Sequence, residues 1–166
     1  MDDLLTERLA LHPLTVDEAE RLAAGGPADA GRWAPGYPSA GDVAGARRFL
    51  DVCAGAGDPR PFGAYEIRRR QDGRAIGGVG FHDAPDEDGS VTIGYGLIES
   101  VRGQGYASEA LRGLLRFARE SGVARVLGDA DQDNAASHRV MASAGMELYA
   151  EDERLRYYRT VWTGSA

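Results

Sequence analysis

Between an apolar run that ends near Ile98 and a stretch with helical spacing lies Arg102-Gly103-Gln104-Gly105-Tyr106-Ala107, the segment of this chain best suited to chemistry. Glycines or a small residue stand where a backbone must turn its N–H groups toward a ligand. The helix that follows adds four unpaired N–H groups and the positive end of its dipole. Such a turn holds an anion, phosphate above all. Spacing narrows which phosphate. A P-loop needs a Gly-Lys-Ser/Thr ending, and this chain has no lysine at all, its 19 basic residues being arginine, so nucleoside-triphosphate hydrolysis is disfavoured. A dinucleotide fingerprint needs a third glycine where Ser108 stands. A Gly-rich connection without a ligand is the remaining alternative.

The elements that must position this turn follow from pattern and composition. The chain has 166 residues, enough for one domain with a real core, and 1–166 reads as a single domain. Hydrophobic residues at 43% and charged residues at 27% are ordinary for a soluble protein, and no apolar run approaches a membrane span. The acidic start MDDLL lacks the basic and apolar regions of a secretory signal. Cys53 is the only cysteine, with no partner for a disulfide or a zinc site, which fits a cytoplasmic location. A net charge of −7 argues against nucleic acid as a partner and suits a cationic amine.

Along the chain, Thr6 to Leu11 alternates as a strand, and Thr15-Val16-Asp17-Glu18 has the form of a capping box for a helix from Val16 to about Ala24. Gly25-Gly26-Pro27 stops it. The Pro- and Gly-rich stretch 25–41 carries Trp33 and Tyr37, which read either as an ordered loop over a cleft or as anchors on the core. Asp42 can cap a helix through Leu50 that ends before Gly55. Strands follow at Phe62 to Arg69, Arg74 to His82 and Ser90 to Ile98, forming an antiparallel meander. A helix starting near Ser108 ends at Gly122, a strand runs from Val123 to Asp131, and a helix from Asn134 to Ala144 stops at Gly145. A hairpin of Met146 to Ala150 and Arg154 to Trp162 closes the chain. The order predicts a mixed sheet with helices on its faces.

Two motifs then carry a resemblance. Arg102-x-x-Gly105-x-Ala107 looks like the pyrophosphate signature of the GNAT superfamily of acetyl-CoA-dependent N-acetyltransferases. Asn134-Ala135-Ala136-Ser137, with Ser143-Ala144-Gly145-Met146 downstream, resembles its RimJ/RimL-like branch. Thr6-Glu7-Arg8-Leu9 and the stretch from Gly36-Tyr37-Pro38 to Phe49-Leu50 look like that branch's first strand and second helix, so the resemblance covers nearly the whole chain. It implies an α/β (α+β) fold: a central, mostly antiparallel, V-splayed sheet of about 6–7 strands with about four helices. Acetyl-CoA would be the co-substrate, lying where the strand Ser90 to Ile98 parts from Val123 to Asp131, and no metal is implied.

The resemblance also implies site residues. Leu97 and Ile98 would offer backbone groups to the pantetheine arm, with an N–H near Leu97 serving the thioester oxygen. Arg102, Gly103, Gln104, Gly105, Tyr106 and Ala107 would wrap the pyrophosphate. Asn134 would meet a pantetheine amide, or else cap its helix. Many relatives place a glutamate where Thr92 stands, so the proton must leave the amine by another route. Asp129, acting through water, is the leading candidate base, against a strand-end charge facing solvent; Glu66 and His82 are weaker ones. Met141 fills the slot of a tyrosine that protonates the departing sulfur in some relatives, and Ser137 is the nearest replacement, unless its hydroxyl simply bonds backbone. Trp33 and Tyr37 would contact the substrate. The implied function is acetyl transfer from the thioester to a primary amine of a protein N-terminus or a small molecule. A catalytically silent acyl-CoA sensor is the alternative, motivated by the missing glutamate and tyrosine.

Overall fold

The computed structural model describes residues 2–26 and 31–162; Pro27, assigned above to the helix stop, lies outside them. The strands are β1 (Leu4–Leu5), β2 (Leu9–Pro13), β3 (Ala64–Arg69), β4 (Ala75–Phe81), β5 (Ser90–Leu97), β6 (Arg125–Asp131), β7 (Met146–Glu151) and β8 (Leu155–Thr160). The helices are α1 (Val16–Ala23), α2 (Ala40–Ala56), α3 (Tyr106–Glu120) and α4 (Ala135–Ser143). One eight-stranded sheet runs β1-β2-β3-β4-β5-β6-β8-β7, and only the β5–β6 pair is parallel. The strand count exceeds the expectation because Leu4–Leu5 pairs with Ala10 and Leu11 as a separate two-residue strand, Thr6 to Arg8 making the turn between them.

Local chemistry accounts for the boundaries. Thr15 and Glu18 close the expected capping box on α1. Asp42 is not the N-cap of α2: Ser39 is, and Asp42 completes its capping box from the third helical position. The helix starts about one turn earlier than expected and runs through Gly55 to Ala56, closing at Gly57. Its buried side rests on Ala46 and Phe49. Helix α3 is strongly amphipathic, burying Ala110, Leu111, Leu114, Leu115 and Ala118 against the sheet. No helix among the described residues is long and apolar enough to cross a membrane.

The splay of the sheet follows from its register. Strands β5 and β6 pair only over Ser90–Thr92 and Arg125–Leu127. Beyond Thr92, β5 stays with β4, while β6 from Leu127 to Asp131 stays with β8. The two strands therefore part, and the edge of β5 from Ile93 to Leu97 faces an opening. Alternation fixes what it shows there. His82 N–H donates to Thr92 C=O and Ile98 N–H to Ile76 C=O, so Thr92, Gly94, Gly96 and Ile98 bond toward β4. The backbone groups of Tyr95 and Leu97 point the other way, into the opening.

Candidate active site

On the side of the sheet covered by α3 and α4, a cavity of about 620 Å³ lies at the opening, lined by Tyr95, Leu97, Arg102, Gly105, Ser137 and Arg139 among others. Gly103 and Gly105 have φ of 82° and 83°, the left-handed region that favours glycine. Gly105 is the N-cap of α3 with no side-chain cap. Among the described residues no N–H from Gly103 to Ser108 donates to another backbone group. The five of these residues that line the cavity, Gly103, Gly105, Tyr106, Ala107 and Ser108, stand at the positive end of a 15-residue helix and suit a pyrophosphate.

A brace holds this turn from beneath. Buried Glu109 in the first turn of α3 accepts from Thr6 hydroxyl at 2.5 Å, Arg8 N–H at 2.8 Å and Arg8 Nε at 2.7 Å. Arg8 Nη1 donates to Gln104 C=O at 2.9 Å, and its guanidinium lies over the Tyr106 ring. Burial raises the Glu109 pKa, but the Thr6 and Arg8 hydrogen bonds outweigh it, so the carboxyl is held below its ordinary value.

Several expected donor residues are arranged differently. Ile98 is buried and its N–H is spent on Ile76, so it offers the opening no donor; Leu97 does. Gln104 does not line the cavity, and its carbonyl serves Arg8. The Arg102 guanidinium bonds Leu97 C=O at 3.2 and 3.1 Å through Nε and Nη2. Asn134 lines the cavity, yet its Oδ1 accepts from Ser137 N–H at 3.1 Å as the N-cap of α4. The Ser137 hydroxyl meets the Tyr95 hydroxyl at 2.5 Å, a bridge from β5 across the opening to α4. Burial raises the Tyr95 pKa. Met141 is fully buried, which removes it from the chemistry.

The opposite face of the sheet carries a second cavity, about 210 Å³, under α1 and α2. Gly78 and Gly80 of β4 and Gly94 and Gly96 of β5 form its floor. A Cβ placed on Gly96 would have no atom within 4 Å, so this glycine leaves open space rather than relieving a clash. Both cavities are lined by Tyr95 and Gly96, so β5 is a wall they share. His82 also lines the second cavity, with Nε2 2.9 Å from where a Cβ on Gly94 would stand. Burial lowers its pKa, Arg48 adds to that, and Asp129 opposes both.

Tyr37 lines this second cavity, but its hydroxyl donates to buried Glu66 at 2.9 Å. Trp33 does not line it; it packs edge-on against Tyr37 with ring centroids 5.5 Å apart. Asp129 is exposed on β6 and lines neither cavity. Tyr95, Arg139 and the Glu109 brace were not singled out as site residues from sequence. The signal for Tyr95 was its alternation with Gly94 and Gly96 on one strand. The signal for the brace was the Thr6-x-Arg8 pair beside a glutamate in the first turn of α3.

The splayed sheet thus has a helix N-terminus facing one side of its opening and a second cavity on the other. The chain belongs to the GNAT acetyltransferases: the family described as "Acetyltransferase (GNAT) domain" matches residues 8–147. It is similar to the uncharacterized N-acetyltransferase YjdG of Bacillus subtilis, at 27% identity over 112 residues, 66% of this chain and 66% of that protein. Among solved structures, an acetyltransferase from Agrobacterium tumefaciens superimposes with a TM-score of 0.68 at 24% identity, covering 98% of this chain and 95% of that one. RimL, a ribosomal L7/L12 α-N-protein acetyltransferase in complex with coenzyme A, gives 0.67 at 19% identity over 96% and 98%. The family makes this protein an acyltransferase enzyme, and the likenesses to solved structures bear on the fold.

Proposed function

We propose that this chain transfers acetyl from acetyl-CoA to a primary amine, either a protein α-amino group or the amine of a small molecule, as a cytoplasmic member of the RimJ/RimL-like branch. The observation that carries the reading is that two cavities on opposite faces of the sheet share Tyr95 and Gly96 of β5 as a wall, with the Tyr95 backbone facing the opening. When bound, acetyl-CoA supplies the acetyl group as a thioester. The free N–H groups from Gly103 to Ser108 hold its pyrophosphate, with exposed Arg139 beside them. Leu97 and Tyr95 offer strand N–H groups to the extended arm and to the carbonyl oxygen as charge develops on it.

The chain's own groups move the protons. The Ser137 hydroxyl, backed by Tyr95, donates toward the sulfur position. An ammonium must lose a proton before it attacks, and His82, kept neutral by burial, takes it at Nε2. Asp129 then acts by its charge on His82 rather than by contact with the amine. Acetyl-CoA raises the melting temperature through linkage, and CoA is released with an amine acceptor. Binding without CoA release across protein N-termini and small amines would refute transfer. A Ser137→Ala enzyme with an unchanged maximal rate would remove Ser137 as donor.

A further inference from the structure

Asp42 spends only half of its carboxylate on structure. Its Oδ2 accepts from the Ser39 N–H and hydroxyl, both at 2.8 Å, and so completes the capping box of α2. Oδ1 accepts no hydrogen bond among the described residues and lies 3.0 Å from where a Cβ on Gly78 would stand. Gly78 pairs with Gly96 across β4 and β5, and hydrogen-bonded antiparallel partners sit about 5.5 Å apart. This oxygen therefore overhangs the glycine floor beside the open space at Gly96. The neighbouring acid, Glu66, is committed to Tyr37 and to Arg68 at 2.7 Å.

We propose that Asp42 selects the acceptor: its Oδ1 holds the ammonium of a primary amine over the Gly78–Gly96 pair, while a compact apolar body fills the cavity against Leu14, Leu22, Tyr37 and Phe49. The inference rests on the acetyltransferase reading and deepens it by naming a substrate class. Size agrees. A cavity of about 150 Å³ takes benzene, and this one, at about 210 Å³, has room for a phenyl or short branched alkyl group with a methylamine. The ammonium passes one proton to His82 Nε2, leaving a neutral amine and an imidazolium that returns the proton to solvent; Asp42 exchanges none. Burial lifts the Asp42 pKa, the Ser39 bonds oppose that and Glu66 adds to it. The other charged or titratable groups around the cavity are Tyr37 of the loop, Arg48 on α2 itself, Tyr65 of β3, His82 after β4 and Tyr95 of β5.

The test measures CoA release with benzylamine, 1,4-diaminobutane and glycine as acceptors, together with the thermal shift by acetyl-CoA. Benzylamine is expected to be used best. Asp42→Asn keeps an oxygen for Ser39 and removes the charge; it is expected to raise the benzylamine KM roughly tenfold to a hundredfold, with kcat within a few-fold and the acetyl-CoA shift unchanged. Ser39→Ala breaks the same cap while leaving Oδ1, and is expected to lower the melting temperature without moving KM. An unchanged KM in Asp42→Asn, an equal KM rise in Ser39→Ala, a preference for glycine or the diamine, or no CoA release with benzylamine would each overturn the inference. Failure of acetyl-CoA to raise the wild-type melting temperature would instead overturn the acetyltransferase reading itself.

Discussion

Replacing Glu109 with alanine probes the brace beneath the phosphate turn. The substitution removes the acceptor for Thr6 hydroxyl, Arg8 N–H and Arg8 Nε. The Arg8 N–H bond to the carboxylate is part-buried, and a hydrogen bond to a charged group is worth about 1.5–3 kcal/mol. The Thr6 hydroxyl has Leu9 C=O in reach at 3.4 Å, so its loss is smaller. The Arg8 side chain is 42% exposed, and its ion pair contributes about 0–1 kcal/mol. Together the loss is about 2–4 kcal/mol, which at roughly 2–4 °C per kcal/mol for a chain of this size lowers the melting temperature by about 5–15 °C. Binding weakens as well, because the Gln104 carbonyl loses its fixed partner. Ordering a freed residue costs about 1–2 kcal/mol, so the acetyl-CoA Kd rises roughly tenfold. The assays are thermal unfolding and calorimetric titration with acetyl-CoA. Because the Glu109 pKa is lowered in the fold, its stabilisation is present above the ordinary carboxylate range and is lost as pH falls through the folded value. The gap between wild type and Glu109→Gln therefore narrows in acid. A melting temperature within about 2 °C of wild type, with an unchanged Kd, would refute the reasoning.

Three further outcomes are expected. Gly105→Val places a branched side chain at φ 83°, with its Cβ 3.3 Å from Arg8 Nη2, and should abolish acetyl-CoA binding as read by calorimetry; retained affinity would sink the loop assignment. Tyr95→Phe removes the partner of the Ser137 hydroxyl and should lower kcat by roughly tenfold with little change in KM, in steady-state kinetics of CoA release. The acid limb of kcat/KM should reflect a base titrating below the ordinary histidine value. Asp129→Asn removes a charge that raises the His82 pKa and so moves the limb to lower pH, whereas Arg48→Gln moves it to higher pH; a limb unmoved by both excludes His82.

What was legible in the sequence is what is coded locally. The Gly103–Gly105 turn, the capping box at Thr15 and the stop at Gly145 depend on residues a few positions apart, and each folds as its pattern says. Asp42 shows the limit. In the sequence Asp42 reads as a helix cap, and nothing in its surroundings tells that Ser39 takes that place or that one Asp42 carboxylate oxygen overhangs Gly78 on a strand 36 residues further on. Trp33 and Tyr37 look equivalent in the chain, yet only Tyr37 lines the cavity while Trp33 packs behind it. Asp129 occupies a plausible position by count, but strand alternation does not reveal which way an opening faces. The same holds for Leu97 and Ile98, whose contrast rests on a cross-strand bond from Ile98 to Ile76.

The short parallel pairing between β5 and β6 has a wider consequence. It makes β5 an edge strand in the interior of an eight-stranded sheet. Exposed edges ordinarily invite another polypeptide and lead to aggregation. Here the edge is walled by the turn before α3 and by α4, with the Tyr95–Ser137 bridge spanning the gap. A slender ligand bearing its own amides can enter where a full strand cannot. On the proposed acetyltransferase reading a small metabolite takes the place of the missing sheet partner, and the amides of Tyr95 and Leu97 are then expected to exchange with solvent deuterium quickly until it binds.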